Sequence, residues 1–220
     1  MLKVTNIPML KNKRLILFTG FIFFVSSAVH ADEATSSLIN RLEKLQSIET
    51  EFVQYVVDKS GTSVQESRGE LKAKRPGLFY WHTEPPLEQV IVSNGKNIIV
   101  YDPDLEQATV QPVSEQLSNT PALLFSGDVK TLGDSFVVHH KEWDNTIDQY
   151  ILMPKNPDSL FESLRLRFDK EILVEMRLTD SLGQKSTIGF NEARVNTGLS
   201  SEAFEFVIPD GTDVIRELVQ

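Results

Sequence analysis

Cysteine is absent from this chain of 220 residues. Its absence excludes disulfide bridges, metal sites built from thiolates and a catalytic cysteine nucleophile. It also excludes the attachment of a lipid anchor, which in exported bacterial proteins requires a cysteine directly after the signal peptide. The fold must therefore be stabilised by its hydrophobic core, and a chain of this length can bury one without covalent cross-links.

Motifs of the common catalytic and nucleotide-binding sites are lacking as well. The sequence has no Gly-x-Ser-x-Gly elbow, no His-Glu-x-x-His helix and no glycine loop of the Gly-x-x-x-x-Gly-Lys or Gly-x-Gly-x-x-Gly type. Ser135 follows Gly133-Asp134 as in one esterase class, but no histidine that could serve it stands three residues after an aspartate. We predict that the protein is not an enzyme and needs neither a cofactor nor a metal ion.

Long hydrophobic runs are also missing. The apolar stretch over 15–25 is shorter than the ~20 residues that span a membrane as a helix. Four basic residues and no acidic residue precede it, and small residues follow it. This pattern is typical of a secretory signal peptide. We predict cleavage after Ala31, which leaves a single domain over 32–220 that begins with Asp32.

Basic residues are fewer than acidic residues in this chain. The chain has 31 acidic residues against 22 lysines and arginines, for a formal net charge of −9. Loss of residues 1–31 removes four positive charges and no negative charge, so the net charge falls from −9 to −13. A strongly acidic surface repels nucleic-acid phosphates and anionic lipid headgroups. We therefore expect no nucleic-acid partner.

Helical periodicity is limited to two short segments. Leu38, Leu42 and Leu45 recur at the spacing of one helix face, and the hydroxyl residues over 35–37 are candidates for its N-cap. A second helix is predicted over 120–126, with a proline at its first position and a glycine after its end.

Alternating polar and apolar residues predict that most of the chain is strand. Candidate strands lie at 52–57, 67–74, 90–92, 98–101, 107–111, 136–141, 149–153, 164–168, 172–178 and 187–190. Asn94-Gly95, between two β-branched runs, predicts a hairpin with a type I′ turn. The mature chain is thus predicted to form one antiparallel sheet that is curled into a barrel or half-barrel.

Three consecutive aromatic residues follow the segment Arg75-Pro76-Gly77. On a strand, Phe79 and Trp81 share one face and Tyr80 takes the other. Strand aromatics are common in ordinary cores. Arg75, four residues before the first of them, favours a functional role for these aromatics over simple core packing.

Several ordered motifs resemble one family. They are Lys74 to Trp81, Val92 to Lys96, Tyr101 to Pro103, Glu106 to Thr109, Asn119 to Pro121, Phe206 to Pro209 and Gly211 to Val214. These segments resemble the LolA family, the periplasmic carriers of outer-membrane lipoproteins in Gram-negative bacteria. The resemblance implies a mainly β fold, an unclosed antiparallel β-barrel in which a lid of short α-helices covers a hydrophobic cavity.

The resemblance also implies which residues form the site. The lid is expected over 38–45 and 120–126. Its lock is expected to be a hydrogen bond from Arg75 to the lid backbone near Leu42, Phe125 and Ser126. The residues expected for the acyl-chain cavity and for transfer are Phe79, Trp81, Leu38, Leu45, Leu123 and Leu124.

The function implied by the resemblance is that of a monomeric periplasmic chaperone. Such a protein accepts acylated lipoproteins that a LolCDE-like ABC transporter releases from the inner membrane, and delivers them to the outer-membrane acceptor LolB. A buried methylene is worth ~0.8 kcal/mol, so a 16-carbon acyl chain in water costs roughly 12 kcal/mol. Lipoprotein cargo therefore needs an apolar cover between the membranes.

Two other proteins with this fold are alternatives. A periplasmic lipoprotein-sensing domain is the first, and it would be accompanied by an additional domain and a membrane contact. LolB is the second, but it is itself a lipoprotein and requires the cysteine that this sequence lacks.

Overall fold

The structure is a computed structural model that describes residues 27–62, 64–113, 122–144 and 146–216. Side chains are described from residue 33 onward within these ranges, except those of residues 122 and 123. Residues 1–26, most of the predicted signal peptide, and the motif Asn119-Thr120-Pro121 lie outside the described residues.

Strands make up most of the described chain. They are β1 (Ser47–Val57), β2 (Val64–Lys74), β3 (Leu78–Thr83), β4 (Gln89–Asn94), β5 (Asn97–Asp102), β6 (Gln107–Pro112), β7 (Phe136–Glu142), β8 (Ile147–Pro154), β9 (Phe161–Asp169), β10 (Ile172–Asp180), β11 (Lys185–Val195) and β12 (Asp213–Arg216). Each predicted strand lies in one of them.

All twelve strands belong to one sheet in the order β12-β6-β5-β4-β3-β2-β1-β11-β10-β9-β8-β7. Its outer strands, β12 and β7, do not pair with each other in the described chain. The sheet is therefore open, as the prediction of an unclosed barrel required.

One edge of the sheet differs from the prediction of a purely antiparallel arrangement. β12 pairs with β6 in parallel, with Asp213 opposite Gln107. A parallel neighbour needs a crossover instead of a tight turn. The connection from β6 to β12 runs through β7 to β11, and its last part, after β11, includes a 3₁₀ turn at Ser201–Phe204 beside β3 and β4. This last part also places Phe206 5.5 Å from Tyr101, ring centroid to ring centroid.

The hairpin between β4 and β5 also corrects the prediction. Its two-residue loop is Gly95-Lys96, not Asn94-Gly95, and of these two residues only Gly95 has a positive φ, at 84°. A positive φ at the first loop residue alone is the pattern of a type II′ turn. Asn94 ends β4 instead, because its side-chain oxygen accepts hydrogen bonds from the backbone N–H groups of Lys96 and Asn97, at 3.0 and 2.9 Å.

The two faces of the sheet bury different clusters. We call the face that the helices cover the inner face, and it holds the main apolar cluster, with Phe52, Leu71, Tyr150 and Leu166 among its fully buried members. The opposite, outer face carries a smaller set of buried residues on β4 and β6. This set consists of Val90, Val92, Ala108 and Val110. Because strand side chains alternate between faces, one sheet supports both.

Within the described ranges, three α-helices accompany the sheet: α1 (Ser27–Lys44), α2 (Ala122–Ser126) and α3 (Leu132–Ser135). The predicted N-cap of α1 over 35–37 is wrong, since the helix already runs through these residues. Three alanines and Glu33, all of which favour helices, stand among residues 27–34, so the helix begins before the hydroxyl residues. No helix in the described ranges is long and apolar enough to cross a membrane.

Candidate functional site

Arg75 lies in the turn between β2 and β3, and this turn is tied to the helices by its backbone. The Arg75 N–H donates to the carbonyl of Gln46, just after α1, at 2.9 Å. The Gly77 N–H donates to the carbonyl of Ser126, at the end of α2, at 2.7 Å. Gly77 has a φ of 75°, which glycine adopts without steric cost. The turn thus sits where both helices end.

The guanidinium of Arg75 connects these helix ends. Its Nε donates to the carbonyl of Leu45 at 3.0 Å, and its terminal nitrogens donate to the carbonyls of Leu124 and Gly127. The last carbonyls of a helix have no partner within the helix, and they carry the negative end of its dipole. One cation therefore satisfies the ends of α1 and α2 at once and holds both to the sheet.

Arg75 is partly removed from water. Burial lowers the pKa of its guanidinium below the ordinary value, while the nearby carboxylates of Asp128 and Glu43 act in the opposite direction. An arginine starts from so high a pKa that it stays charged at neutral pH. The bonds to the helix ends are thus charge-assisted, which makes them stronger than bonds between neutral groups.

An aromatic row runs along the inner face beside this turn. The Trp81 ring stacks on Phe52, with centroids 3.9 Å apart and planes 26° apart. The ring of Phe79 is nearly parallel to that of Trp81, with centroids 6.5 Å apart and planes 12° apart. Tyr80 takes the outer face, where Lys72 Nζ lies 5.1 Å from its ring. The predicted division of the three aromatics between the two faces is confirmed.

The helices cover this face with apolar side chains. Leu38 and Leu42 of α1 and Leu124 and Phe125 of α2 are buried in the main cluster. The ring of Phe125 meets Phe190 of β11 edge to face, at 5.8 Å between centroids. The helices therefore occupy the inner face as a closed cover.

The family model described as "Outer membrane lipoprotein carrier protein LolA" matches residues 43–207, about three quarters of the chain. This chain belongs to the LolA family. Its relatives include the outer-membrane lipoprotein carrier protein of Pseudomonas entomophila, 46% identical over 205 residues, which are 93% of this chain and 98% of that protein. The carrier protein of Azotobacter vinelandii is 43% identical over 204 residues, with the same coverage of both chains.

Among solved structures, an uncharacterized conserved protein from Thermus thermophilus matches with a TM-score of 0.52. It is 12% identical and covers 83% of this chain and 98% of its own length. At this identity the match shows a shared fold.

Within the LolA fold, the carbonyls that Arg75 contacts differ from those expected. The acceptors are Leu45, Leu124 and Gly127, not Leu42, Phe125 or Ser126. The Leu42 carbonyl is already used by the N–H of Leu45, at 3.1 Å. The Ser126 carbonyl accepts from Gly77 instead. Since carbonyls at a helix end point in successive directions around its axis, the position of the guanidinium selects among them.

The residues expected for the acyl-chain site gather on this face of the LolA fold. Phe79 and Leu38 are buried, and Trp81 and Leu45 are half-buried and pack against the main cluster. Leu124 has two roles: its side chain is buried in the main cluster, and its carbonyl accepts a hydrogen bond from Arg75. The Leu123 side chain lies outside the described part of the chain.

A second contact between α1 and the sheet was not predicted from the sequence. Arg41 Nη2 lies 2.6 Å from Asp148 Oδ2 of β8, and its other terminal nitrogen donates to the carbonyl of Lys170. The guanidinium also lies over the ring of Phe168, 4.8 Å from the centroid. The signal was present, because Arg41 stands three residues after Leu38 and is thus a cation on the apolar stripe of the helix.

The same contact extends to other residues of β7 and β8. His140 Nε2 is 2.8 Å from the second carboxylate oxygen of Asp148. The hydroxyl groups of Ser37 and Tyr150 are 2.9 Å apart. The helix α1 is therefore held at two places, by Arg75 at its end and by this polar network along its side.

Substitution Arg41→Ala is expected to lower the free energy of unfolding by about 2 kcal/mol, because it removes charge-assisted hydrogen bonds from a partly buried carboxylate. The side chains of Arg41 and Asp148 are 15% and 24% exposed. Arg194→Ala is the matched control, since that arginine is 67% exposed and pairs with Glu49 at 3.1 Å. An exposed pair contributes less than about 1 kcal/mol. Urea unfolding measures both, and equal losses would contradict a structural role for Arg41.

Groups of three or more histidine, aspartate or glutamate side chains that could hold a metal ion do not occur in the described part of the chain.

Proposed function

We propose that this protein carries lipoproteins through the periplasm and holds their acyl chains between the helices and the inner face of the sheet. One observation carries the proposal: a single side chain, Arg75, fastens both helices over an apolar face. A cover held by a few side-chain hydrogen bonds, at Arg75 and along the side of α1, can be released without unfolding the sheet. The relatives named as outer-membrane lipoprotein carriers support this function.

The free energies suit a reversible carrier. Acyl chains that enter would replace the lid side chains, such as Leu38, Leu42 and Phe125, on the same apolar surface. The transfer of a methylene from a membrane to an apolar site is nearly neutral, whereas its transfer to water costs ~0.8 kcal/mol. The direction of transfer then depends on small terms, of which the Arg75 bonds are the most evident.

The same proposal covers export of the chain, loading of the cargo and its delivery. The chain is exported with residues 1–31 as a cleaved leader and acts as a monomer over 32–220. It receives cargo from a lipoprotein-releasing ABC transporter of the inner membrane and passes it to an outer-membrane acceptor of the LolB type. Arg75 acts as the lid lock, and Phe79, Trp81, Leu38, Leu45, Leu123 and Leu124 contact the acyl chains.

Fluorescence of Trp81 provides the test. The chain has two tryptophans, and Trp143 is exposed, so the Trp143→Phe variant leaves Trp81 as the reporter on the inner face. A synthetic peptide with a tripalmitoylated N-terminal cysteine is expected to shift Trp81 emission at micromolar concentration, because acyl chains would displace the lid from the aromatic row. The same peptide without acyl chains is the control. A carrier function is contradicted if the two peptides give the same response.

A further inference from the structure

The inner face is not apolar along its whole length. At the end of the sheet away from Arg75 it opens into a cleft of about 470 Å³, a size common for ligand sites. Side chains from β1, β2, β3 and β4 line this cleft, and they include Gln54, Gln65, Ser67, Thr83 and Gln89. Val56, Leu87 and Leu105 line it as well, but amide and hydroxyl groups take the place of the aromatics found nearer the helices.

The cleft is continuous with the aromatic row. Gln54 lies two residues after Phe52 on β1, and Thr83 lies two residues after Trp81 on β3, so each pair shares a face. Trp81 Nε1 donates to the Thr83 hydroxyl at 3.1 Å, which joins the apolar and polar parts directly. A ligand that lies along these strands meets an apolar surface first and a hydrogen-bonding surface next.

The charge in the cleft has one sign. Glu88, Asp102 and Asp104 line it, and no lysine or arginine is among its lining residues in the described chain. Glu88 is 3.4 Å from His82 Nε2, and Asp102 accepts the N–H of Leu105 at 3.1 Å. These contacts leave the negative charge of the cleft largely uncompensated, so it favours neutral or cationic groups over anionic ones.

We propose that this cleft binds the polypeptide segment that directly follows the acylated residue of the cargo, and that it selects neutral or basic segments. The inference rests on the proposed carrier function, because it assigns the acyl chains to the aromatic row. Glutamine, serine and threonine side chains can each donate and accept, so they can pair with both N–H and C=O groups of an extended backbone.

Two tripalmitoylated peptides test the proposal in the Trp143→Phe background. They have the same length, and their two residues after the cysteine are lysine in one and glutamate in the other. The lysine peptide is expected to bind about fivefold more tightly at low ionic strength. The effect is modest because each pair between a peptide lysine and a cleft carboxylate stays partly exposed to water. The preference is expected to shrink at high salt, where screening is strong.

A variant in which the charge of the cleft is reversed provides a second test. The double variant Glu88→Lys with Asp104→Lys is expected to reverse the preference in favour of the glutamate peptide. Asp158→Lys with Glu171→Lys is the matched control, since both residues are exposed and lie outside the cleft. This control changes the net charge by the same amount and is expected to keep the lysine preference.

The outcomes separate this inference from the function on which it rests. Equal affinities for the two acylated peptides, in the wild-type cleft and in the reversed one, would overturn the cleft proposal and leave acyl binding intact. Equal changes in the cleft variant and its control would also overturn it, since net charge alone would then explain the preference. If neither acylated peptide binds better than its non-acylated form, the carrier function itself fails.

Discussion

Substitution Arg75→Leu is expected to leave the fold intact and to make the protein retain its cargo. The bonds from Arg75 to Leu45, Leu124 and Gly127 are present where the helices cover the inner face, which is the closed state of the proposed lid. Their loss raises the free energy of the closed, empty state, whereas an open, loaded state without these bonds is unaffected. A single hydrogen bond to a charged group is worth ~1.5 to 3 kcal/mol. The binding equilibrium should therefore shift toward the loaded state by about tenfold to a hundredfold.

Transfer of a tripalmitoylated peptide from the protein to acceptor liposomes measures this effect. The variant is expected to bind the peptide more tightly and to release it more slowly. Arg68→Leu is the matched control on β2, the strand that leads to Arg75, because Arg68 is 65% exposed and pairs with Glu66. Arg75→Lys is expected to fall in between, since an ammonium group cannot reach three divergent carbonyls as a planar guanidinium does. Wild-type affinity and release in Arg75→Leu would show that the lid is not held by these bonds.

Substitution Gly69→Ala is expected to destabilise the sheet strongly. A Cβ atom at this position of β2 would lie 1.8 Å from the carbonyl oxygen of His82 and 2.8 Å from Phe52 Cζ. The first neighbour is backbone of the adjacent strand and cannot move aside as a flexible side chain would. Overpacking costs about 1 to 3 kcal/mol, and a backbone clash belongs at the upper end. For a chain of this size, about 3 kcal/mol corresponds to a fall in Tm of roughly 6 to 12 °C.

Thermal unfolding followed by circular dichroism measures the loss. Gly198→Ala is the control, because a Cβ there meets no atom within 4 Å and its φ is not in the positive range. This control is expected to change the stability by less than about 0.5 kcal/mol. Near-ultraviolet signals should also change in Gly69→Ala, since Phe52 would move against Trp81. Equal melting temperatures for the two variants would contradict the close approach of β2 and β3.

The sequence indicated the importance of Arg75 but not that of Gly69. The position of Arg75 before an aromatic strand was evident from the sequence, and the resemblance to the LolA family implied its lid contact. Gly69, in contrast, gave no signal. Its importance comes from the phenyl ring of Phe52 and the carbonyl of His82, which strand pairing brings to it from two other strands.

The sequence by itself determined the features that depend on near neighbours in the chain. Alternation of apolar residues located the strands, and the spacing of Leu38, Leu42 and Leu45 located the first helix. It also placed Phe79 and Trp81 on one face of their strand. Such patterns can be read because side-chain direction repeats every 2 or 3.6 residues whatever the rest of the chain does.

Only the tertiary structure decided the contacts between distant segments. It placed Arg41 against Asp148, 107 residues away, and chose the carbonyls that Arg75 contacts. It also brought Gln54 and Thr83 together as the polar continuation of the aromatic row. Each of these depends on strand register and on the angle at which a helix crosses the sheet. A shift of one residue would turn every such side chain to the other face, so these contacts are fixed by the packing of the whole sheet and not by any local stretch of sequence.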